Sequence, residues 1–483
     1  MNNDSSSEVI ARELRAEIAR LRAGSRLPGT RALTARFSAS PVTVQRAVRM
    51  LVREGLVESR PGAGNFVRHA PTVLPADYGW QTAALGAIRS DGVFIGSTMQ
   101  TPSVDSIALH SGYPSDELLP VRAVQSALAR AARSRSALDR PPAAGLPELR
   151  SWFAQEVAEA ATADVAAPTA SDVLVMPGGQ SALSSIFRSL ARPGDTVLME
   201  SPGYWGAIAA ARQAGLVVEP LPRAGAVNTA GAATSSPASG YDAVDPVVLA
   251  EAFERTRARL FYAMPHFANP TGASWSGERA SALLDVVRQN DAFLIEDDWA
   301  HDFAIDAPAR PLIGQDASGH VVYVRSLTKS VSPSVRIAAV IARGPAHARI
   351  QTDRVVDGLY VSGVLQTAAV EVVTAAGWQP HLRRMQEQLA RRRDSLAALV
   401  DDLLPPGTLT TIPRGGLNLW LRLPVGVDSA GFVARCARDG LLISPGAEWF
   451  PAEPTGDYVR LNYSGPAPGR FDEAVRIMAA NLP

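Results

Sequence analysis

The chain has 483 residues, of which 46% are hydrophobic and 19% charged, with a formal net charge of zero and a single cysteine, Cys436. This length suits about three domains, or one large domain with a small module, and the composition excludes a disordered or fibrous chain. No apolar run reaches the roughly 18 residues of a membrane span, the start Met1 to Ser7 is polar, and a lone cysteine fits a reducing compartment; a cytoplasmic protein with no membrane partner is expected.

The neutral total conceals an uneven distribution. Residues 1–69 carry 12 Arg against 6 Asp and Glu, whereas the remainder carries 35 basic and 41 acidic side chains. A small basic head on an acidic body suits contact with an anion such as nucleic acid, although an ordinary charged helical surface gives the same surplus. Ile10, Leu14, Ile18 and Leu21 recur at helical spacing, and Gly24 ends that helix. Thr30 is the expected cap of a second short helix running to Phe37. Ser40 and Pro41 read as an N-cap and a first-turn proline. The helix they open carries Val44, Val48 and Leu51 on one face, with Gln45, Arg46 and Arg49 turned elsewhere, and Gly55 ends it. Leu56–Ser59 and Asn65–Val67 read as strands joined by Pro61–Gly64, which completes the pattern of a winged helix-turn-helix.

Residues 70–105 mix Pro, Gly and Ser and are expected to be a linker with one helix near Trp80–Arg89. From residue 106 onward, apolar runs alternate with helix-length segments: Val173–Met176, Thr196–Met199, Leu260–Ala263, Phe293–Glu296, Val321–Val324 and Ile337–Ile341. The fold class this implies is α/β, a mainly parallel sheet with helices on both faces. Arg223–Ser239, rich in Ala, Gly, Ser and Thr, reads as an exposed loop without chemistry.

Lys329 is the single lysine; the other 46 basic side chains are arginine. Guanidinium replaces ammonium at a surface or a phosphate, but never where a neutral primary amine must act as nucleophile. Compositional drift that left one random survivor is the plain alternative. Lys329 closes the run Ser326-Leu327-Thr328-Lys329 just past an apolar strand, with Arg336 seven residues on. Ser326 and Arg336 can grip a phosphate-bearing aldehyde whose carbonyl Lys329 captures as an imine. Gly178-Gly179-Gln180 opens a helix after another strand, where backbone N–H groups can meet a phosphate, although a Gly-Gly turn is often only a turn. Asn269, in Asn269-Pro270-Thr271-Gly272, can hydrogen-bond a phenolic oxygen or simply mark a turn. One carboxylate of Glu296-Asp297-Asp298 can keep a ring nitrogen protonated, and Tyr204 can lie on a flat cofactor. No metal-ligating cluster is assigned.

In this order the motifs resemble the fold-type I pyridoxal-phosphate enzymes of the aspartate aminotransferase superfamily, over residues 106–483. The resemblance implies that Lys329 binds pyridoxal 5'-phosphate, that Asp297 partners its ring nitrogen and Asn269 its ring oxygen, and that Tyr204 stacks on it. It implies a phosphate cup of Gly178, Gly179, Gln180, Ser326 and Arg336, and a smaller C-terminal α+β lobe whose Arg460 clamps a substrate carboxylate. Trp299 and Ala300 stand where the superfamily usually carries a tyrosine, which counts against efficient transamination.

Residues 24–68 contain Gly24-Ser25-Arg26-Leu27-Pro28-Gly29-Thr30-Arg31, then Ser40-Pro41-Val42-Thr43-Val44-Gln45-Arg46, then Pro61-Gly62-Ala63-Gly64. They are similar to the GntR-family winged helix-turn-helix. That resemblance implies that the helix from Pro41 enters the major groove with Thr43, Gln45 and Arg46 at bases or phosphates. Arg31 would meet the DNA backbone, while Gly62 and Gly64 shape the wing tip. Pro41 stands where many relatives have arginine, so no operator sequence follows. Head and body together resemble the MocR/GabR group of transcriptional regulators, implying a DNA-binding domain at 1–69, a linker at 70–105 and an effector domain at 106–483. They also imply a homodimer on an operator with two half-sites, and pyridoxal phosphate, alone or with an amino acid or amine, as effector. Genes of vitamin B6 or amino-compound metabolism are frequent targets in the group. Two other readings stay open: an aminotransferase with a vestigial DNA-binding head, and a repressor whose pocket is only a scaffold.

Overall fold

The structure, a computed structural model, describes residues 6–68, 79–85, 97–103, 105–163, 165–223, 243–409 and 411–483. The chain forms two compact units, Met1–Ile88 and Arg89–Pro483.

The first unit contains α1 (Ser6–Ile18), α2 (Thr30–Phe37), α3 (Pro41–Arg53), β1 (Val57–Arg60), β2 (Gly64–Val67) and α4 (Gly79–Leu85). Ile10, Leu14 and Ile18 of α1 meet Leu33 of α2 and Val44, Val48 and Leu51 of α3 in one core, closed by Val57 and Val67 of the hairpin. The apolar stripe of α3 is used up in that core, which leaves Gln45, Arg46 and Arg49 in solvent. Ser40 caps α3, its Oγ accepting from Thr43 N at 3.2 Å, with Pro41 in the first turn. The cap of α2 differs from expectation: Gly29 is the N-cap and Thr30 is already helical. β1 and β2 pair antiparallel, Val57 opposite Val67 and Arg60 opposite Gly64. Helix α4 falls within the stretch read as linker; 69–78 and 86–96 lie outside the described residues.

In the second unit the elements are β3 (Ile107–Ala108), α5 (Val121–Ala131), α6 (Pro147–Ala158), β4 (Val173–Met176), α7 (Gly179–Leu190), β5 (Thr196–Ser201), α8 (Trp205–Gln213), β6 (Val217–Pro222), α9 (Pro246–Thr256), β7 (Leu260–Ala263), α10 (Gly277–Gln289), β8 (Phe293–Asp298), β9 (Val321–Ser326) and β10 (Ala338–Ile341). There follow α11 (Gly344–Gly358), α12 (Gly363–Val373), α13 (Trp378–Leu403), β11 (Asn418–Arg422), α14 (Ser429–Arg438), β12 (Leu441–Leu442), β13 (Ser444–Pro445), β14 (Tyr458–Asn462) and α15 (Phe471–Ala480). Seven strands form one sheet in the order β4-β10-β9-β8-β7-β5-β6. β10 runs antiparallel to both its neighbours, and the other six strands share one direction. Helices cover both faces of such a sheet, so its strands read as unbroken apolar runs; every residue of β4, β7 and β10 is buried. β6 escapes a reading from apolar runs because it lies at the sheet edge, half-buried and interrupted by Pro220 and Pro222. The tract expected as an exposed loop from Arg223 needs one correction. Arg223 is buried and pairs with buried Glu200 at 2.7 Å; 224–239 lie outside the described residues. The smaller C-terminal lobe is the antiparallel sheet β11-β14-β13 with α14 and α15, joined to the large sheet by the 26-residue helix α13.

This topology gathers chemistry at one edge. Gly178, Tyr204, Asn269, Asp297 and Ser326 follow or end strands of common direction, so they collect at the carboxyl edge of the sheet. Arg336 precedes β10, whose reversed direction brings its start to the same edge. No helix among the described residues is long and apolar enough to cross a membrane. Replacing the cap Ser40→Ala should destabilise α3 by about 1 kcal/mol. Hydrogen exchange of the α3 amides in the full chain measures this, and unchanged protection would show that the cap contributes nothing.

Candidate active site

A cavity of about 300 Å³ opens at that carboxyl edge. Its anion-facing side is built around α7. Gly178 caps the helix at φ +94°, and a Cβ there would lie 2.7 Å from an Arg336 guanidinium nitrogen. Glycine therefore admits the guanidinium to the positive end of the helix. Gly179 and Ser326 face each other across this corner, and both line the cavity with Arg336. Arg336, half-buried, has no hydrogen bond or ion pair among the described residues. Thr328 Oγ1 is buried without a partner among the described residues, and Thr328 also lines the cavity. An unmatched guanidinium and hydroxyl at a helix N-terminus are what a phosphate dianion would satisfy. Ser326 Oγ meanwhile accepts from Thr328 N at 3.2 Å. Gln180 lines the cavity, but its amide is engaged: Oε1 accepts from Tyr204 Oη at 3.1 Å and Nε2 donates to Gly206 O at 2.7 Å. Its role in the structure is to hold Tyr204.

The opposite wall carries Asp297. Along β8 the side chains alternate, and the three consecutive acids separate accordingly. Glu296 accepts from the backbone N–H groups of Leu312 (2.8 Å) and Ile313 (3.1 Å), and burial pushes its carboxyl up to about 8. Asp298 is held by Tyr323 and His301, each at 2.7 Å, and lies near 2 despite its burial. Asp297 alone of the three lines the cavity. Burial raises it to about 6, while the Tyr262 hydroxyl, donating at 2.7 Å, and Lys329 favour its charged form. A cationic ring N–H facing it would favour that form further.

Between these walls lies Lys329, half-buried, its Nζ 4.1 Å from the ring centroid of Trp299. Desolvation, then repulsion by Arg460, lowers the amine to about 7 against the pull of Asp297. A neutral, nucleophilic fraction therefore exists at neutral pH. Asn269 lines the cavity and accepts from Arg460 Nη1 at 3.3 Å. Arg460 itself lies behind that wall and is 1% exposed. Its Nη2 donates to His110 O at 2.6 Å and Ser111 O at 3.3 Å, and its guanidinium stacks 4.7 Å from the Trp449 ring. Met99, Tyr113, Trp205 and Met264 supply apolar wall.

Sequence reasoning did not find Tyr113, Trp205, Met264, Tyr262, Thr328 or Met99. Tyr262 sits inside an apolar run, where a phenol that needs a partner is the one available signal. Thr328 was passed over inside its own motif. Met99 belongs to the stretch read as linker, and nothing local marks it. In the first unit, Arg31, Gln45 and Arg46 are exposed, whereas the Thr43 hydroxyl lies 2.8 Å from Ser40 Oγ and serves the cap. Gly62 and Gly64 turn the hairpin at φ +75° and +115°.

A mostly parallel sheet with one reversed strand, and reactive groups collected at its carboxyl edge, places the second unit in the aminotransferase fold of type I. The chain belongs to the aminotransferase class I and II family, which matches residues 104–476, and the gntR family of bacterial regulatory proteins matches residues 6–67. The probable rhizopine catabolism regulatory protein MocR of Rhizobium meliloti is 28% identical over 96% of this chain and 91% of its own length. The HTH-type transcriptional regulator TauR of Rhodobacter capsulatus is also 28% identical, over 96% and 93%. Among solved structures, the α-aminoadipate aminotransferase LysN of Thermus thermophilus, complexed with N-(5'-phosphopyridoxyl)-L-leucine, is 25% identical with a TM-score of 0.69, over 78% of this chain and 92% of its own. The chain is thus a regulator in which a GntR-type DNA-binding domain is fused to an aminotransferase-like domain, as in the MocR/GabR group. The cofactor that the family and the complexed neighbour indicate is pyridoxal phosphate.

The lowered Lys329 amine has a consequence for stability. Its folded value near 7 lies below the ordinary 10.5, so burial of the charged form costs stability in full below pH 7 and nothing above 10.5. Lys329→Met should stabilise the cofactor-free protein by roughly 1–3 kcal/mol at pH 6, a gain that shrinks as pH rises towards 10. Urea unfolding at several pH values checks this; a pH-independent difference would contradict it.

Proposed function

We propose that the chain is a transcriptional regulator that takes up pyridoxal 5'-phosphate at Lys329 and uses it, alone or with an amino compound, to change how it addresses DNA. The observation that carries this reading is that the one lysine of the chain lines the cavity, half-buried, between an anion-ready corner with unmatched donors and a buried carboxylate. When bound, the cofactor supplies an aldehyde for the neutral amine to capture. Arg336, Ser326 and Thr328, with the N–H groups following Gly178, hold the phosphate at the start of α7. Asp297, fixed by Tyr262, takes the ring N–H. Asn269 donates to the ring oxygen through its amide while its Oδ1 stays on Arg460. Tyr204, held by Gln180, lies against the ring. Arg460 keeps a cationic fork for the carboxylate of an amino acid effector.

The same site is tied to the stretch read as linker. Ser97 N and Oγ donate to Glu448 at 3.0 and 3.2 Å, and Gln100 O pairs with His110 Nε2 at 2.8 Å. Glu448 adjoins Trp449, which stacks on Arg460, and His110 O accepts from Arg460. Ligand engagement at Arg460 therefore bears on residues 97–100. We divide the chain into a DNA-binding domain at 1–69, a linker at 70–105 and an effector domain at 106–483. We propose a homodimer whose two heads bind two half-sites, each raising the effective concentration of the other. Arg31, Gln45 and Arg46 are the proposed DNA contacts, with Thr43 stabilising α3 and Gly62 and Gly64 shaping the wing. An aminotransferase with a vestigial head is the second reading, favoured by the presence of both Lys329 and Arg460.

Borohydride reduction of the protein incubated with pyridoxal phosphate, followed by peptide mass mapping, should place the adduct on Lys329 and lose it in Lys329→Ala. An adduct absent from that position overturns the reading. In DNA binding, Arg46→Ala should reduce the slope of log affinity against log salt by about 1. Footprints with and without the cofactor should differ; identical footprints, with steady turnover of amino donor and oxo acid, would favour the second reading.

A further inference from the structure

Trp299 directly follows the acidic triplet of β8, and its ring is 8% exposed. The ring face lies 4.1 Å from Lys329 Nζ. Its indole N–H has no hydrogen-bond partner among the described residues. Packing alone sets the ring plane: Phe303 is tilted against it at 6.3 Å, and Gly416 leaves room at its edge. A phenylalanine would fill apolar space without burying an unmatched donor. What an indole adds is the side-chain ring face that attracts a cation most strongly. We propose that Trp299 is a positioning residue that holds the free side-chain amine of Lys329 as an ammonium ion against its ring.

The other groups facing the amine leave that task to the indole. Asp297, on β8, is the one carboxylate among the described residues that lines the cavity, and it already receives the Tyr262 hydroxyl. Arg460, from β14 behind the wall, opposes the charge, and Arg336, ahead of β10, places a guanidinium on the cavity wall itself. Tyr204 and Tyr113 bring phenols only. Burial and Arg460 press the amine towards its neutral form, and the ring face works against them. An ammonium neither attacks a carbonyl nor accepts a proton. The inference rests on the reading of Lys329 as the amine that captures the cofactor, and it adds a consequence. A lysine displaced by an incoming ammonium takes over its proton, is retained by Trp299 as a cation and cannot then act as a base. Such a site favours a long-lived ligand complex over turnover.

The single lysine makes this measurable without cofactor. Reductive methylation with ¹³C-formaldehyde and cyanoborohydride labels only Lys329 and the N-terminal amine, giving separately resolved NMR signals. In wild type the Lys329 methyl signal should be displaced upfield by the indole ring current. Its titration midpoint should lie about one pH unit above that of Trp299→Leu, with Trp299→Phe between them. If Trp299→Leu fails to fold by circular dichroism, the comparison rests on Trp299→Phe, whose midpoint should still fall below that of wild type. Equal midpoints in wild type and the folded variants overturn the inference. Because the titration uses cofactor-free protein, its failure is distinct from a failure of borohydride trapping at Lys329.

Discussion

The burial of one primary amine governs the site. Taking an ammonium out of water is costly unless the protein returns most of the lost solvation. Around Lys329 the return is partial: Asp297 attracts the charge, Arg460 repels it, and the face of Trp299 lies against the nitrogen. The amine is therefore poised between its two protonation states near neutral pH. The sheet makes this possible by delivering residues from five strands of common direction, and the approach to a reversed one, to a single edge. No local segment could assemble a desolvated amine, an acid and an anion corner within one cavity.

The corner for the anion and the wall for the ring are satisfied to different degrees. Asp297, Tyr204 and Gln180 already have partners, so the ring side is formed in advance. The Arg336 guanidinium and the Thr328 hydroxyl have none among the described residues, so in the proposed reading the phosphate side is the one with binding energy still to be realised. A pre-formed wall and an unmatched corner suit a ligand that enters phosphate-first and is then oriented by contacts that cost little further ordering.

The parts legible in the sequence were those set by local periodicity and by residue type. Buried parallel strands announce themselves as apolar runs, and β4 and β7 match their expected ranges. Ser40 and Pro41 mark the start of α3 because capping is a matter of adjacent residues. Lys329 stood out by composition alone. The illegible parts depend on pairing across the chain. Nothing near Gln180 says that its amide will hold Tyr204, and nothing near Ser97 says that Glu448, 351 residues away, will receive its N–H and hydroxyl. β6 was missed because an edge strand needs no apolar run, and the partner of Arg223 because Glu200 lies on another strand. Trp299 was visible as a departure from the expected tyrosine, but its contact with Lys329 exists only in three dimensions.

Arg460 is where the cavity wall and other segments of the second unit meet. Its guanidinium is shared among Asn269 on the cavity wall, the carbonyls of His110 and Ser111, and the ring of Trp449. A carboxylate that claims the fork must compete with those carbonyls, because a guanidinium has a fixed set of donors. The carbonyls belong to a segment whose His110 side chain also holds Gln100, and Trp449 follows the Glu448 that holds Ser97. Residues 97–100 are thus fastened at two points, each one step removed from the same cation. In the proposed reading, a clip made of hydrogen bonds around one buried cation responds to changes at that cation as a unit, which is how occupancy of the cavity would reach the segment at 97–100.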